Sequence, residues 1–280
     1  MPFNRRIQVL FGLLAAASIA SAQFLGPAPV AWRWAQPTSV APGGSIAVEG
    51  DTLYAAVGSR VYAVDRESGN QRWRYPAAEP LEGSFRYGAT LSDGVVVAAA
   101  DNKLIYGIDA VTGQSKWEYP LTENLIGPPV AIGVYTLLAL SDNSIMAIYT
   151  ADGKPAWKNP QRIFDGIMGN ISGTRDSVLV VTQNYELWSV NLATQNADWK
   201  VRMSTVGSDV RPVVFADTIF VNSGQYLVAL NSRGGKRFEA NVGSTLARNP
   251  AVNGDGVAVV DLDGKVYTYD LNGRPIMRKP

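Results

Sequence analysis

The sequence predicts an all-β protein made of six repeated four-stranded antiparallel sheets, with seven as the alternative count. Three observations predict it. A phrase of strand, tight turn and second strand ending in a large aromatic, Tyr62 to Trp73, returns as Tyr106 to Trp117. The aromatics that close the units are Trp73, Trp117, Trp157, Trp199, Phe238 and, in degenerate form, Met277. They recur about every 40 residues, the size of one repeated supersecondary unit. Beyond the N-terminal region no stretch carries a helical period.

In chain order, residues 1–22 read as a secretory signal. Arg5 and Arg6 supply the positive start, Val9 to Ala17 the apolar stretch, and Ala20-Ser21-Ala22 the cleavage site. The apolar stretch is shorter than the roughly 20 residues that span a bilayer, so cleavage and no stable membrane insertion are expected. Residues 23–30 form a Pro- and Gly-containing lead-in, and Ala31-Trp32-Arg33-Trp34 reads as a lone closing strand. Residues 31–280 hold the repeats. The second unit shows the pattern best: Phe85 to Ser92 as a first strand, a turn at Asp93-Gly94, and Val95 to Ala100 apolar on both faces. Asp101 to Lys103 then turns into Leu104 to Ile108, and Gln114 to Tyr119 closes the unit. Four residues before the closing aromatics stand Gly69, Gly113, Gly153, Gln195, Gly234 and Gly273, where a hairpin turn requires positive φ. The turns starting at Thr150, Asn231 and Asp270 read as one residue tighter than the others. In the last unit Arg274 to Lys279 is a weak closing strand, which Trp32 or Trp34 is placed to replace.

A four-stranded sheet of this size cannot bury both faces alone, so the copies must stack. Radial stacking leaves only short, protected edges, which makes a β-propeller the expected architecture. The closing aromatics then fill the wide outer gaps between twisted sheets. On that basis, replacing Trp117 by Ala is expected to cost about 3–5 kcal/mol.

Composition restricts the chemistry. A net charge of +1 gives no bulk field for nucleic acid. The absence of His and Cys removes Ser-His-Asp hydrolysis, His- or thiolate-ligated metals and Cys nucleophiles together. Thr150 to Trp157 and Asp261 to Gly264 superficially suggest a sialidase Asp-box and a calcium loop. The first lacks a residue between Asp152 and Gly153, and the second lacks its completing acid. Both read as turns, and no metal or cofactor is expected.

The phrase Y-A-V-D-x-x-x-G-x-x-x-W at Tyr62 to Trp73, with its copy at Tyr106 to Trp117, resembles the repeat of the PQQ-like, or quinoprotein-like, β-propeller family. That family includes PQQ-dependent dehydrogenases, BamB-like outer-membrane assembly proteins and many exported repeat proteins. The resemblance implies a propeller over residues 31–280. This chain lacks the adjacent cysteines and the calcium-binding positions of the dehydrogenases, so it is expected not to be an enzyme.

Two places break the repeat and are the candidate sites. Where each closing strand hands over to the next inner strand, the linkers carry Arg86, Asn170, Arg211, Arg248 and Asn249. If these crowd one mouth of the channel, they suit an acidic ligand, because guanidinium forks match carboxylates. The other reading is unrelated solvated arginines, or Arg211 paired with Asp209. The second place is the linker Arg162 to Met168, whose Ile163, Phe164, Ile167 and Met168 either dock a protein partner or fold back over a joint between sheets. The expected function is an exported, monomeric, non-catalytic scaffold, periplasmic or secreted, that binds a protein or an acidic ligand in the cell envelope. A BamB-like assembly role and an enzyme with a carboxylate or quinone site at the channel mouth are the alternatives.

Overall fold

Short β-branched and aromatic runs, punctuated by Gly, Asp and Asn, give strands and tight turns. The computed structural model describes residues 38, 40–205, 210–247 and 249–276, all within a unit spanning Gln36–Pro280. The signal at 1–22, the lead-in, the strand at Ala31 to Trp34, and Asp209, Arg248 and Met277 lie outside the described residues.

The described residues contain no helix and form six sheets. The first is β1 (Ala47–Glu49), β2 (Thr52–Val57), β3 (Arg60–Asp65) and β4 (Gln71–Tyr75). The second is β5 (Thr90–Ser92), β6 (Val95–Ala99), β7 (Leu104–Asp109) and β8 (Ser115–Pro120). The third is β9 (Val130–Ile132), β10 (Tyr135–Ala139), β11 (Ser144–Tyr149) and β12 (Gln161–Arg162). The fourth is β13 (Ile167–Gly173), β14 (Ser177–Thr182), β15 (Glu186–Asn191) and β16 (Ala197–Arg202). The fifth is β17 (Val213–Phe215), β18 (Thr218–Ser223), β19 (Tyr226–Asn231) and β20 (Lys236–Asn241). The sixth keeps β21 (Ala251–Asn253), β22 (Gly256–Val260) and β23 (Val266–Tyr269). Neighbours in every sheet are consecutive in sequence and antiparallel, so each sheet is a meander.

Two local expectations need correction. Of the stretch Phe85 to Ser92 only Thr90–Ser92 is strand, because Phe85, Tyr87 and Gly88 are taken up by contacts with neighbouring linkers. The turn expected to start at Thr150 starts at Tyr149, whose carbonyl accepts from the N–H of Gly153, so it matches the turn closed by Gly69 and Asp65. Of the weak closing strand at Arg274 to Lys279 the described part, to Ile276, makes a bridge between Pro275 and Tyr269, with Ile276 N–H donating to the Thr268 carbonyl and the Thr268 hydroxyl donating to the Ile276 carbonyl, while residues 277–279 lie outside the described residues.

The turn chemistry is as the sequence reads. Asp65 Oδ1 accepts from the Ser68 N–H and hydroxyl, both at 2.8 Å, and Asp109 does the same with Thr112 at 2.8 and 2.9 Å. Arg72 reaches Asp65 Oδ2 at 2.6 Å. The Arg72 guanidinium, then the Ser68 donors, hold the Asp65 carboxyl down at about 2, against an ordinary 3.8. A lowered folded-state value means stability that is full above the unfolded value and lost as pH falls through the folded one. The melting-temperature gap between parent and Asp65→Asn should therefore hold steady above about pH 5 and close between about pH 4 and 2. A gap still full at pH 2 would contradict this.

Five apolar clusters each join one sheet to the next. The central strands of the four interior sheets are accordingly buried on both faces. In β2 burial alternates residue by residue instead, because among the described residues an apolar cluster covers only one face of the first sheet. Among the described residues no cluster joins the sixth sheet to the first. Val48 on the first sheet is 54% exposed and Val266 on the sixth 59%. A hollow of about 550 Å³ over Ala251, Ala258, Thr268 and Ile276, with Asn253 and Asp255 at its edge, lies against the sixth sheet.

The closing aromatics do more than fill gaps. Each of the four closing Trp crosses to the following sheet and donates its indole N–H to a carbonyl in that sheet's last turn: Trp73 to Ala110 (2.9 Å), Trp117 to Thr150 (3.0 Å), Trp157 to Leu192 (2.9 Å) and Trp199 to Ser232 (2.9 Å). The turn glycine lies directly under the ring. A Cβ added at Gly113 would stand 2.7 Å from Trp73, one at Gly153 2.6 Å from Trp117, and one at Gly234 2.7 Å from Trp199. These glycines therefore serve two needs, positive φ and a flat seat for the preceding sheet's aromatic. Gln195, at φ 60°, shows that the turn forms without glycine.

Candidate functional site at the linker end of the channel

The short innermost strands of successive sheets are neighbours: β1 with β5, β5 with β9, β9 with β13, β13 with β17, and β17 with β21. The linkers that feed them consequently meet at one end of the channel. Backbone approaches closely where residues 43–45 pass 85–88, which requires Gly43, Gly44 and Gly88. Tyr87 then donates its hydroxyl to the Leu125 carbonyl at 3.0 Å, and Gly127 packs under the side-chain oxygen of Asn170. Asn170 N–H donates to Val210 at 3.0 Å, and Arg211 N–H to Asn249 Oδ1 at 2.6 Å. Each linker is thus tied to the next.

This arrangement brings Asn170, Arg211 and Asn249 into one continuous set of contacts, while Arg248 lies outside the described residues. Arg86 belongs to the same end but is committed elsewhere. Its Nε donates to Asp101 Oδ2 at 3.0 Å, and its side chain is 71% exposed. The Ser84 N–H at 2.7 Å and then Arg86 hold the Asp101 carboxyl below its ordinary value. Between the second and third sheets, Arg86, Tyr87, Asp101, Lys103 and Asn124 line a cleft of about 350 Å³. A second, polar hollow of about 490 Å³ lies over Ser141, Asn143, Asn170 and Gln183.

Arg211 differs from the other described arginines. It is half-buried, between the buried Val210 and Pro212, and its guanidinium has no ion pair or hydrogen bond among the described residues. Burial pushes it below its ordinary pKa. The alternative pairing with Asp209 falls outside the described residues.

The apolar linker must be divided. Ile163 (1% exposed) and Ile167 (6%) belong to the cluster between the third and fourth sheets, and Met168 packs against the cluster joining the fourth and fifth. The backbone of Ile163 donates to the Asn143 carbonyl at 2.9 Å and that of Ile167 to Asn143 Oδ1 at 3.1 Å, holding the loop down. Only Phe164, 85% exposed, stands out into solvent. Of the two readings of this linker, Ile163, Ile167 and Met168 follow the one in which it folds back over a joint between sheets, and Phe164 remains for the one in which it docks a partner.

Asp101, Lys103, Asn143 and Gln183 were missed as lining residues. They lie on turns between the second and third strands of their sheets, which come out at the same end as the linkers. Strand alternation alone carried that signal. Among the described residues no three acidic side chains gather as a metal site. Asp261 is occupied in its own turn, accepting from the N–H groups of Asp263 and Lys265 and from the Tyr267 hydroxyl at 3.0 Å.

Comparison with known proteins agrees with this architecture. A family model described as outer membrane protein assembly factor BamB matches residues 58–173 and 175–276. No curated protein matches the sequence. Among solved structures, BamB from Moraxella catarrhalis is similar at 23% identity, covering 88% of this chain and 76% of its own, with a TM-score of 0.66. The computationally designed Ika8 protein is similar at 11% identity, covering 85% and 74%, with a TM-score of 0.64. The likeness of these two structures lies in the fold.

Proposed function

The chain belongs to the family of outer membrane protein assembly factor BamB, and from that premise we propose that it is an exported, non-catalytic scaffold that binds protein partners during outer-membrane protein assembly. The match over both halves of the repeat region carries the reading. The side-chain inventory supports the non-catalytic part, since without His or Cys the commonest general base and nucleophile are missing.

Within the propeller, the linker end offers the better binding surface. Its linkers are tied to one another by side chain and backbone, so they hold a fixed shape, and partners bind fixed surfaces at lower entropic cost. Phe164 adds an exposed aromatic of the kind that anchors interfaces.

A photo-crosslinking amino acid at Phe164, compared with one at Val134 on a strand-connecting turn at the other end, tests the reading in the cell envelope. The expected result is a crosslink from position 164 to an outer-membrane assembly protein, identified by mass spectrometry, with none from 134. Equal or no capture from the two positions would overturn it.

A further inference from the structure

We propose that Arg211 anchors a carboxylate-binding site at the linker end of the channel, which takes the carboxylate of an acidic peptide segment. The assignment rests on the reading that this end of the propeller docks a protein.

A buried charge without a partner costs several kcal/mol after relaxation, so such groups are normally paired. Arg72 and Arg86 hold ion pairs, Arg60 holds backbone carbonyls, and Arg175 and Arg202 lie open to water. Arg211 is half-buried with no such partner among the described residues, and burial weakens its hold on the proton. Its backbone is fixed by Asn249, and the preceding Val210 carbonyl is held by Asn170, so its position is set from both sides.

The identity of the anion follows from the charge around it. The groups tied to this segment, Asn170 and Asn249, are neutral amides, leaving Arg211 as the one positive charge among the described residues of the set. One planar guanidinium balances a singly charged, planar carboxylate and matches its two oxygens. A doubly charged phosphate would be left half neutralised.

The test is calorimetric titration of the purified full chain and of Arg211→Gln with three probes. These are hexaglutamate capped at both ends, hexaglycine with a free C-terminus, and inorganic phosphate. The expected result is that a carboxylate probe binds the parent and loses about tenfold or more in Arg211→Gln, the scale of a charge-assisted hydrogen bond. The melting temperature should hold or rise, because an unbalanced charge has been removed. Binding of hexaglutamate assigns side-chain carboxylates, and binding of hexaglycine alone assigns a chain terminus; both support the site. It is overturned if neither carboxylate probe binds, if only phosphate does, or if affinity is unchanged in the variant. A fall in melting temperature would likewise overturn it, since it would show a structural role. Crosslinking from position 164 in the Arg211→Gln background separates the two ideas. Capture that persists there while no carboxylate probe binds the parent rejects the anion site alone, and absent capture in the parent rejects the docking reading.

Discussion

Replacing Trp157 by Ala is expected to destabilise the protein by about 3–5 kcal/mol, the range for a buried aromatic removed from a packed core. Trp157 is 6% exposed, lies in the cluster between the third and fourth sheets, and donates its indole N–H to Leu192 at 2.9 Å. Truncation would empty the joint and leave that bond unmade. Trp157→Phe separates the two effects. It keeps most of the apolar bulk and loses the hydrogen bond together with part of the ring, for an expected cost of about 1–2 kcal/mol. Trp117 makes the same bond to Thr150 but is only half-buried, so Trp117→Ala should cost less than Trp157→Ala. Urea unfolding followed by circular dichroism measures all three. A loss at Trp157 no greater than at Trp117 would contradict the burial argument.

The second large effect is expected at Gly153. Gly153→Ala should cost about 2–4 kcal/mol, made of positive-φ strain at 72° and the displacement of Trp117 from its seat. Gly133→Ala is the control. Gly133 has a similar φ of 57°, but an added Cβ there meets nothing within 4 Å. Its cost should be the backbone share alone, about 1–2 kcal/mol. If the two alanines cost the same in parallel melts, Gly153 serves its turn and nothing more. A red-shifted Trp emission in Gly153→Ala alone would show the ring pushed toward water.

The turns that Asp65 and Asp109 close were legible because their chemistry is local: an acid two or three residues before the N–H groups it accepts can be read in one line of sequence. The second role of Gly113 and Gly153 was not, since Trp73 and Trp117 come from the preceding repeat and reach them only after the sheets have packed. Ile163 and Ile167 look the same in sequence as Phe164 between them. The bonds to Asn143 decide which of them face the core.

The candidate site divides in the same way. That Arg86, Asn170, Arg211 and Asn249 share one end follows from their positions before inner strands. That Arg86 is committed to Asp101 and Arg211 to no described partner does not, because Asp101 arrives from a turn on the neighbouring hairpin.

The sequence by itself determined the all-β class, the repeat, the turn residues and the closing aromatics, because periodicity and turn chemistry act over a few neighbouring residues. Only the tertiary structure decided which faces are covered, which glycines seat a Trp and which arginine is half-buried with no ion pair among the described residues. Those outcomes depend on burial between residues far apart in the chain, and burial sets both the strength of an apolar contact and the cost of a charge.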